Sequence, residues 1–454
     1  MQTLQAQRES AVPLGGHVKK ENVPALVRML LLVVAVPRGV PVAGHRHSTT
    51  NARYTTVRVI VIGGGIGGLT TALALVRRGV EVELFEQRPG LRELGAGIGL
   101  SPNATNILHR LGLEEALRRS SVLPSGATLQ RWDDGRMLVR HGFVDHESLY
   151  GAPTYLVRRS DLVSILAREL PEHVLQTGRR CVGVTEEIES VSVQFADGGT
   201  ASADAVVGAD GMGSEVRKFF GCHQAPIFSG LVAYRGLIPA ERASALSIGS
   251  EVVNWTGPRS YFLYYPAGPR YLNVVGDVTV DEWRYQTSTV EIPVGEFLSH
   301  FEMWHPQVIS VIELIEHPWK MPLYRLDSLP RWTSHRVTLV GDAAHPVMHF
   351  IAQGAALAIE DAAVVARCLA EAGSSRVPAA LAAYESVRKP RTTKCQLKSY
   401  EMMEVGLDPD RERPTAGGQG NWLDWVYAYD ADREASLLSI SQNQPEAPHE
   451  RPYL

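Results

Sequence analysis

VRVIVIGGGIGGLTTALALVRRGVEVELFE, residues 57–86, is the stretch on which the fold turns. It opens with a β-branched run, Val57, Val59, Ile60, Val61 and Ile62, which predicts a buried strand. Gly63, Gly65 and Gly68 follow in the spacing G-x-G-x-x-G. Leu69, Ala72, Leu73 and Leu75 then recur with a helical period, and residues 80–85 read as a second strand ending at Glu86. Each part has a physical task in a βαβ dinucleotide site. Gly63 allows the tight turn, Gly65 lets a pyrophosphate touch the backbone, and Gly68 lets the helix pack closely on the strand. The phosphates sit on the helix N-terminus, where free N–H groups and the dipole favour negative charge. Glu86 falls where a carboxylate accepts hydrogen bonds from ribose hydroxyls. The bland alternative is an ordinary strand-to-helix turn with no ligand, and the motif alone does not choose between FAD and NAD(P).

Outward from this unit, composition sets bounds. The 454 residues suggest two to three domains, and 44% hydrophobic with 21% charged residues is an ordinary globular balance. A net charge of −4 argues against nucleic acid as the main partner. Cys181, Cys222, Cys368 and Cys395 form no C-x-x-C pair. They fit structural thiols in a reducing, cytoplasmic setting better than a disulfide framework or a zinc site, and no metal ligand set is expected. Residues 1–56 differ: an apolar run at 29–36 follows Lys19, Lys20 and Arg28, is far too short to span a bilayer, and has no clear cleavage site. They read as a disordered extension or an upstream start, and no membrane association is expected.

Two later segments repeat the logic of a strand, a polar turn and a helix start. DAVVGADGMGSEVR, residues 204–217, carries Asp210-Gly211; GDAAHPVMHFIAQGAALAIEDA, residues 341–362, follows a buried strand at 337–340 and carries Gly341-Asp342. Between them the chain becomes strand-rich and aromatic, with Tyr234, Trp255, Tyr261, Phe262, Tyr264, Tyr265 and Tyr271. A helix is expected over about 354–372, with Gly354 and Ala355 at its N-terminus. Asp342 there can accept from ligand hydroxyls, while Gly354 and Ala355 offer N–H groups to an electron-rich ligand atom. The competing readings are a helix cap for Asp342 and a turn aspartate bonding its own backbone for Asp210.

Together the three motifs resemble the single-component, group A flavoprotein aromatic hydroxylases, of the salicylate hydroxylase and hydroxybenzoate hydroxylase kind. The resemblance runs from about residue 57 to 429 and includes the late WVYAYD segment. It implies an α/β fold: a discontinuous Rossmann-like FAD-binding domain over 57–225 and 320–372, an inserted antiparallel β-sheet substrate domain over 226–319 to which 125–152 contributes, and a C-terminal helical segment over 373–442. Residues 443–454 read as a tail. FAD is the implied cofactor, with NADH or NADPH as co-substrate and no separate nicotinamide domain; the resemblance implies that Gly341-Asp342 contacts the ribityl and pyrophosphate part of FAD and that Asp210-Gly211 serves both FAD and NAD(P)H use. Arg159, in YLVRRSDL, matches the family's flavin-contacting arginine, whereas Arg158 stands where His is frequent; a surface ion pair is the plainer reading of Arg159. Cys181 falls where a backbone contact to adenine is expected.

The chemistry implied is reduction of FAD by NAD(P)H, addition of O₂ at the flavin C4a, and attack of that hydroperoxide by an electron-rich ring. The protein must then hold a small phenolic or hydroxybenzoate-type substrate, assist loss of its proton and exclude water; a salicylate-like, decarboxylative outcome belongs to the same chemistry. Tyr234 and Arg235, in VAYRGL, are candidates to hydrogen-bond the phenol and to hold a carboxylate, against a reading in which they only pack at the domain interface. Pro346 matches a residue beside the flavin ring, and His349 stands where relatives place Pro or Gln facing substrate. His349 is thus a candidate proton acceptor, against the common case of a structural histidine. Gly99 occupies a place that carries a substrate-binding His in the hydroxynicotinate branch, which argues against that substrate. Expected partners are the aromatic substrate, O₂ and NAD(P)H, with a homodimer as the assembly to test. Two alternatives stand: a tailoring hydroxylase of a larger polyketide or alkaloid, and a flavin-binding protein without hydroxylase activity.

Overall fold

In the computed structural model the described residues are 56–91, 96–246, 248–411 and 416–441. The β-branched run forms the strand Arg58–Ile62 at the centre of a five-stranded parallel sheet. Glu81–Glu86 and Ala205–Gly208 flank it, and Leu175–Thr177 and Val337–Leu339 form the edges. A parallel sheet is covered on both faces, and the alternation of side chains shows it. Val59 and Val61 join the core beneath the helices Ile66–Val76 and Gly354–Ala372. Ile60 and Ile62 face the other way, against the antiparallel strands Cys181–Glu186, Val191–Phe195 and Thr200–Ala203. The helix Gly354–Ala372 has the expected bounds; Pro102–Arg110 and Glu114–Ser120 are two separate helices, divided at Gly112 with φ 87°.

Ala205–Gly208 and Val337–Leu339 are neighbours in the parallel sheet, yet the chain between them builds a second one. This has eight strands in the order Val290–Glu291, Trp319–Arg325, Ile227–Pro239, Tyr271–Thr279, Ser260–Pro266, Val252–Gly257, Gly126–Arg131 and Met137–Gly142. The last two are the hairpin from the earlier part of the chain, joined through parallel pairing with Val252–Gly257. Residues 319–325, at the expected start of the second FAD segment, pair with Ile227–Pro239 as a strand of this sheet. One face is sealed by the helices Val294–Ser299 and Pro306–Glu313, whose Phe297, Val308 and Val311, with Phe301 between them, pack on Trp255, Phe262 and Tyr264.

A 30-residue helix, Val377–Gly406, crosses behind the helix Gly354–Ala372 and brings charge into the core. Arg388 is fully buried and bonds Asp361 through Nε (2.7 Å) and Glu360 through Nη2 (2.7 Å). Arg391 takes Glu360 bidentately at 2.8 Å, and Asn103 adds a donor at 2.6 Å. Asp361 also accepts from the Gly341 N–H (2.9 Å) and lies 2.6 Å from His345 Nε2. Burial alone would raise the Asp361 carboxyl; the charges of His345 and Arg388 outweigh it and hold the group down at about 2. Such a cluster is sustained only while every member keeps its partners.

The extension over 1–56, residue 56 apart, and the tail over 443–454 lie outside the described residues. All four cysteines are free, and no described helix is long and apolar enough to cross a membrane.

Two substitutions test this architecture by chemical denaturation. Arg388→Ala leaves Glu360 and Asp361 buried with too little positive charge and is expected to cost about 3–5 kcal/mol; a loss under about 1 kcal/mol would show that the cluster is not structural. Gly68→Ala puts a Cβ 1.8 Å from the Gly63 carbonyl oxygen, so the strand-to-helix turn must open. Wild-type stability in that variant would contradict the packing described.

Candidate active site

A cavity of about 650 Å³ runs from the C-terminal ends of the parallel strands to the uncovered face of the eight-stranded sheet. The loops at 62–67, 85–91, 209–215 and 340–342 form one end, which is where open α/β sheets place their ligands.

At this end the glycines shape the wall. Gly63 has φ 109°, and a Cβ there would meet the Ala209 carbonyl oxygen at 2.4 Å, so only glycine makes the turn. A Cβ on Gly65 would meet nothing within 4 Å; that side of the turn is open. Gly65 caps the helix Ile66–Val76 without a side-chain hydrogen bond, which leaves the first N–H groups for an anion. Gly68 does not line the cavity; its place is behind the turn, against Gly63. Glu86 is pinned by two N–H donors, Gly64 to Oε2 at 2.7 Å and Arg88 to Oε1 at 2.9 Å. Arg159 and Cys181 lie on the wall, and burial pushes the Cys181 thiol up to about 11, so it is a neutral contact.

Asp210 and Asp342 behave differently. The Asp210 carboxylate turns onto its own loop, accepting from the Ser214 hydroxyl and from the N–H groups of Glu215 (2.7 Å) and Val216 (3.1 Å). Burial raises its pKa against those bonds. Its side chain therefore does what the turn-aspartate reading expects, while the residue still lines the cavity. Asp342 is exposed, lines the cavity, and its carboxylate has no hydrogen-bond partner among the described residues. Gly354 and Ala355 open a helix whose N-cap, Gln353, turns its side chain to Asn103 and Ser101 and leaves the first N–H groups uncapped. Two uncapped helix N-termini as N–H donors, with a pinned carboxylate at one end and an exposed one at the other as acceptors, fit an extended dinucleotide carrying a polyol, as FAD does.

The far end corrects two sequence expectations. Tyr234 and Arg235 are consecutive in one strand, so their side chains take opposite faces. Tyr234 is buried under the helices beside Phe297, with its hydroxyl 2.8 Å from His300 Nε2, and does not line the cavity. Burial pushes its phenol up to about 12. Arg235 lines the cavity, and its Nε is buried without a hydrogen-bond partner among the described residues. Pro346 also misses the lining; it is buried in the turn and its carbonyl accepts from Gln396 at 3.0 Å. The neighbouring Val347, His349 and Phe350 reach the cavity instead.

His349 is 2.7 Å, through Nε2, from Oδ2 of Asp277. Asp277 did not stand out in the sequence. It shares the Arg235 face, together with Asn254, Tyr261, Leu263, Tyr265 and Val275, because the strand partners Ala233 and Asp277, Arg235 and Val275, are in register. The available signal was the one charged residue of the strand YLNVVGDVT, two positions from Val275. Tyr265 is pushed up to about 12 by burial against the pull of Arg235, so its hydroxyl stays protonated.

Comparison with known proteins agrees with this geometry. The model of the FAD binding domain family matches residues 56–253 and 318–398. The chain is 36% identical over 400 residues to 3-amino-4-hydroxybenzoate 2-monooxygenase of Streptomyces cremeus, covering 86% of this chain and 98% of the relative. It is 34% identical over 380 residues to 6-hydroxynicotinate 3-monooxygenase of Bordetella bronchiseptica, covering 83% and 96%. Among solved structures, a salicylate hydroxylase substrate complex superposes with a TM-score of 0.73 at 29% identity, covering 84% of this chain and 98% of that one. With its split FAD-binding domain matched and these relatives aligned over nearly their whole length, the chain belongs to the FAD-dependent aromatic monooxygenases of the salicylate and hydroxybenzoate hydroxylase type.

Proposed function

We propose that the chain is an NAD(P)H- and FAD-dependent monooxygenase that hydroxylates a small phenolic ring carrying a carboxylate. The observation that carries this reading is the far wall of the cavity, where an arginine with a buried nitrogen unpartnered among the described residues shares one sheet face with the buried carboxylate that holds His349. A flavin held at the other end and reduced by NAD(P)H would activate O₂, one atom of which would enter the ring while the other leaves as water.

The residues divide the remaining work. Gly65, the Ile66–Val76 N-terminus and Glu86 hold the adenosine and pyrophosphate half, with Arg159 and Cys181 as wall contacts. Asp342, Gly354 and Ala355 hold the ribityl chain and the flavin edge. Arg235 takes the substrate carboxylate, a charge-assisted bond that also satisfies its Nε. His349 takes the phenolic proton, the task imidazole suits near neutral pH. Tyr261, Leu263, Val275 and Phe350 pack on the ring and keep water out. Because one cavity holds both flavin and substrate, a single aromatic ring suits it better than a polyketide or alkaloid. The named substrates of both curated relatives are small aromatic acids, which supports the same size class. Four free thiols suit a reducing cytoplasm.

The test is NADH and NADPH oxidation by the FAD-loaded protein with 4-hydroxybenzoate, 3-hydroxybenzoate, salicylate and 3-amino-4-hydroxybenzoate, with mass-spectrometric identification of products. Faster oxidation together with a hydroxylated or decarboxylated phenol supports the reading; no product from any of them sinks it. Asp342→Ala should emerge from purification without flavin, and full retention would remove Asp342 from the site. Arg235→Leu should raise KM for a carboxylated phenol about ten- to a hundredfold, the worth of a charge-assisted hydrogen bond of about 1.5–3 kcal/mol. Tyr234→Phe should leave both kcat and KM near wild type; the reverse ranking would put Tyr234 back in the site.

A further inference from the structure

We propose that Asp277 is a positioning residue that fixes the tautomer of His349, placing the ring proton on Nε2 and leaving Nδ1 as the base. This rests on the reading of the cavity as a hydroxylation site and adds the group that prepares its base.

The side chain of Asp277 is 0% exposed, in the middle of the strand Tyr271–Thr279, with Ala233 and Tyr261 opposite it. A carboxylate in such a place is costly unless its charge and lone pairs are used. Here Oδ2 lies 2.7 Å from His349 Nε2, while Oδ1 is buried with no partner among the described residues. An ionised carboxylate only accepts, so the shared hydrogen belongs to Nε2. The ring is stacked on Phe350, with centroids 4.7 Å apart and planes at 14°, which fixes its plane. The side chain of His349 keeps 28% exposure and lines the cavity. Nδ1 is left as the ring nitrogen without a hydrogen-bond partner among the described residues.

A plain tether between the loop at 345–351 and the sheet is the competing account. It would be served as well by a neutral pair, and it gives no reason to bury a charge with one oxygen unsatisfied. A base does give one. When the substrate O–H bond breaks and an Nδ1–H bond forms, the ring becomes an imidazolium facing a buried anion, and Asp277 stays ionised throughout. The electron pair of the O–H bond stays on oxygen as phenolate. This is the orienting role of the aspartate in a Ser-His-Asp triad, here serving a phenol rather than a serine.

Two measurements on the FAD-loaded enzyme decide it. In ¹⁵N-histidine-labelled protein, with His349→Gln as the assignment control, the neutral His349 ring should show a protonated Nε2 and a bare Nδ1. A proton on Nδ1 overturns the proposal. In kinetics with the phenol panel, Asp277→Asn, nearly isosteric, should keep its flavin content and its rate of flavin reduction. It should lose hydroxylation by about a hundredfold or more, the usual worth of a positioned base, with NAD(P)H oxidation uncoupled from product. In a His349→Gln background the same substitution should cost almost nothing further. Losses that multiply, or an Asp277→Asn enzyme within about threefold of wild type, far short of what a positioned base contributes, also overturn it. If the wild type hydroxylates no phenol, the proposed function falls, and the ring pattern by itself still decides the tautomer.

Discussion

The buried cluster of Arg388, Glu360, Asp361 and His345 is the constraint on which the site rests. One carboxylate, Asp361, accepts from the Gly341 N–H, pairs with His345 and bonds Arg388. It thus fixes the turn carrying Asp342 against the helix whose N-terminus carries Gly354 and Ala355. Arg391 and Asn103 close the other half through Glu360. The long helix Val377–Gly406 therefore acts as a clamp on the cofactor turn, although none of its residues lines the cavity. Removing a single partner strands charge in the core, so the cluster makes the geometry of the turn all-or-none.

The second constraint is the pleat of the eight-stranded sheet. Side chains alternate across it, so one face is committed to Phe297, Phe301 and the helices, and the other to the cavity. That single alternation sends Tyr234 into the core and Arg235 to the site. It also lines up Asp277, Val275 and Asn273 on the Arg235 side. A slip of one residue would exchange the two sets.

Much of the architecture was legible locally. The β-branched run, the three spaced glycines and Glu86 describe a βαβ unit within one stretch, and the helix Gly354–Ala372 is written in its own periodicity. The pairing of the short strand Trp319–Arg325 was not legible, because it takes its place in the sheet from its partner Ile227–Pro239 rather than from its own composition. In the same way Asp210 reads as a ligand contact in the motif, while in the fold its carboxylate is absorbed by Ser214, Glu215 and Val216.

The sequence by itself determined the cofactor half: spacing, glycine and a terminal acid are local requirements of a strand-to-helix turn, and local requirements are visible along the chain. Only the tertiary structure decided which residues reach the far end of the cavity. Strand alternation separates Tyr234 from Arg235 but does not say which face is covered; that depends on the helices of residues 294–313 docking on one side. His349 and Asp277 lie 72 positions apart and meet because the cofactor turn folds onto the sheet. Their chemistry is a property of that contact, and neither residue carries it alone.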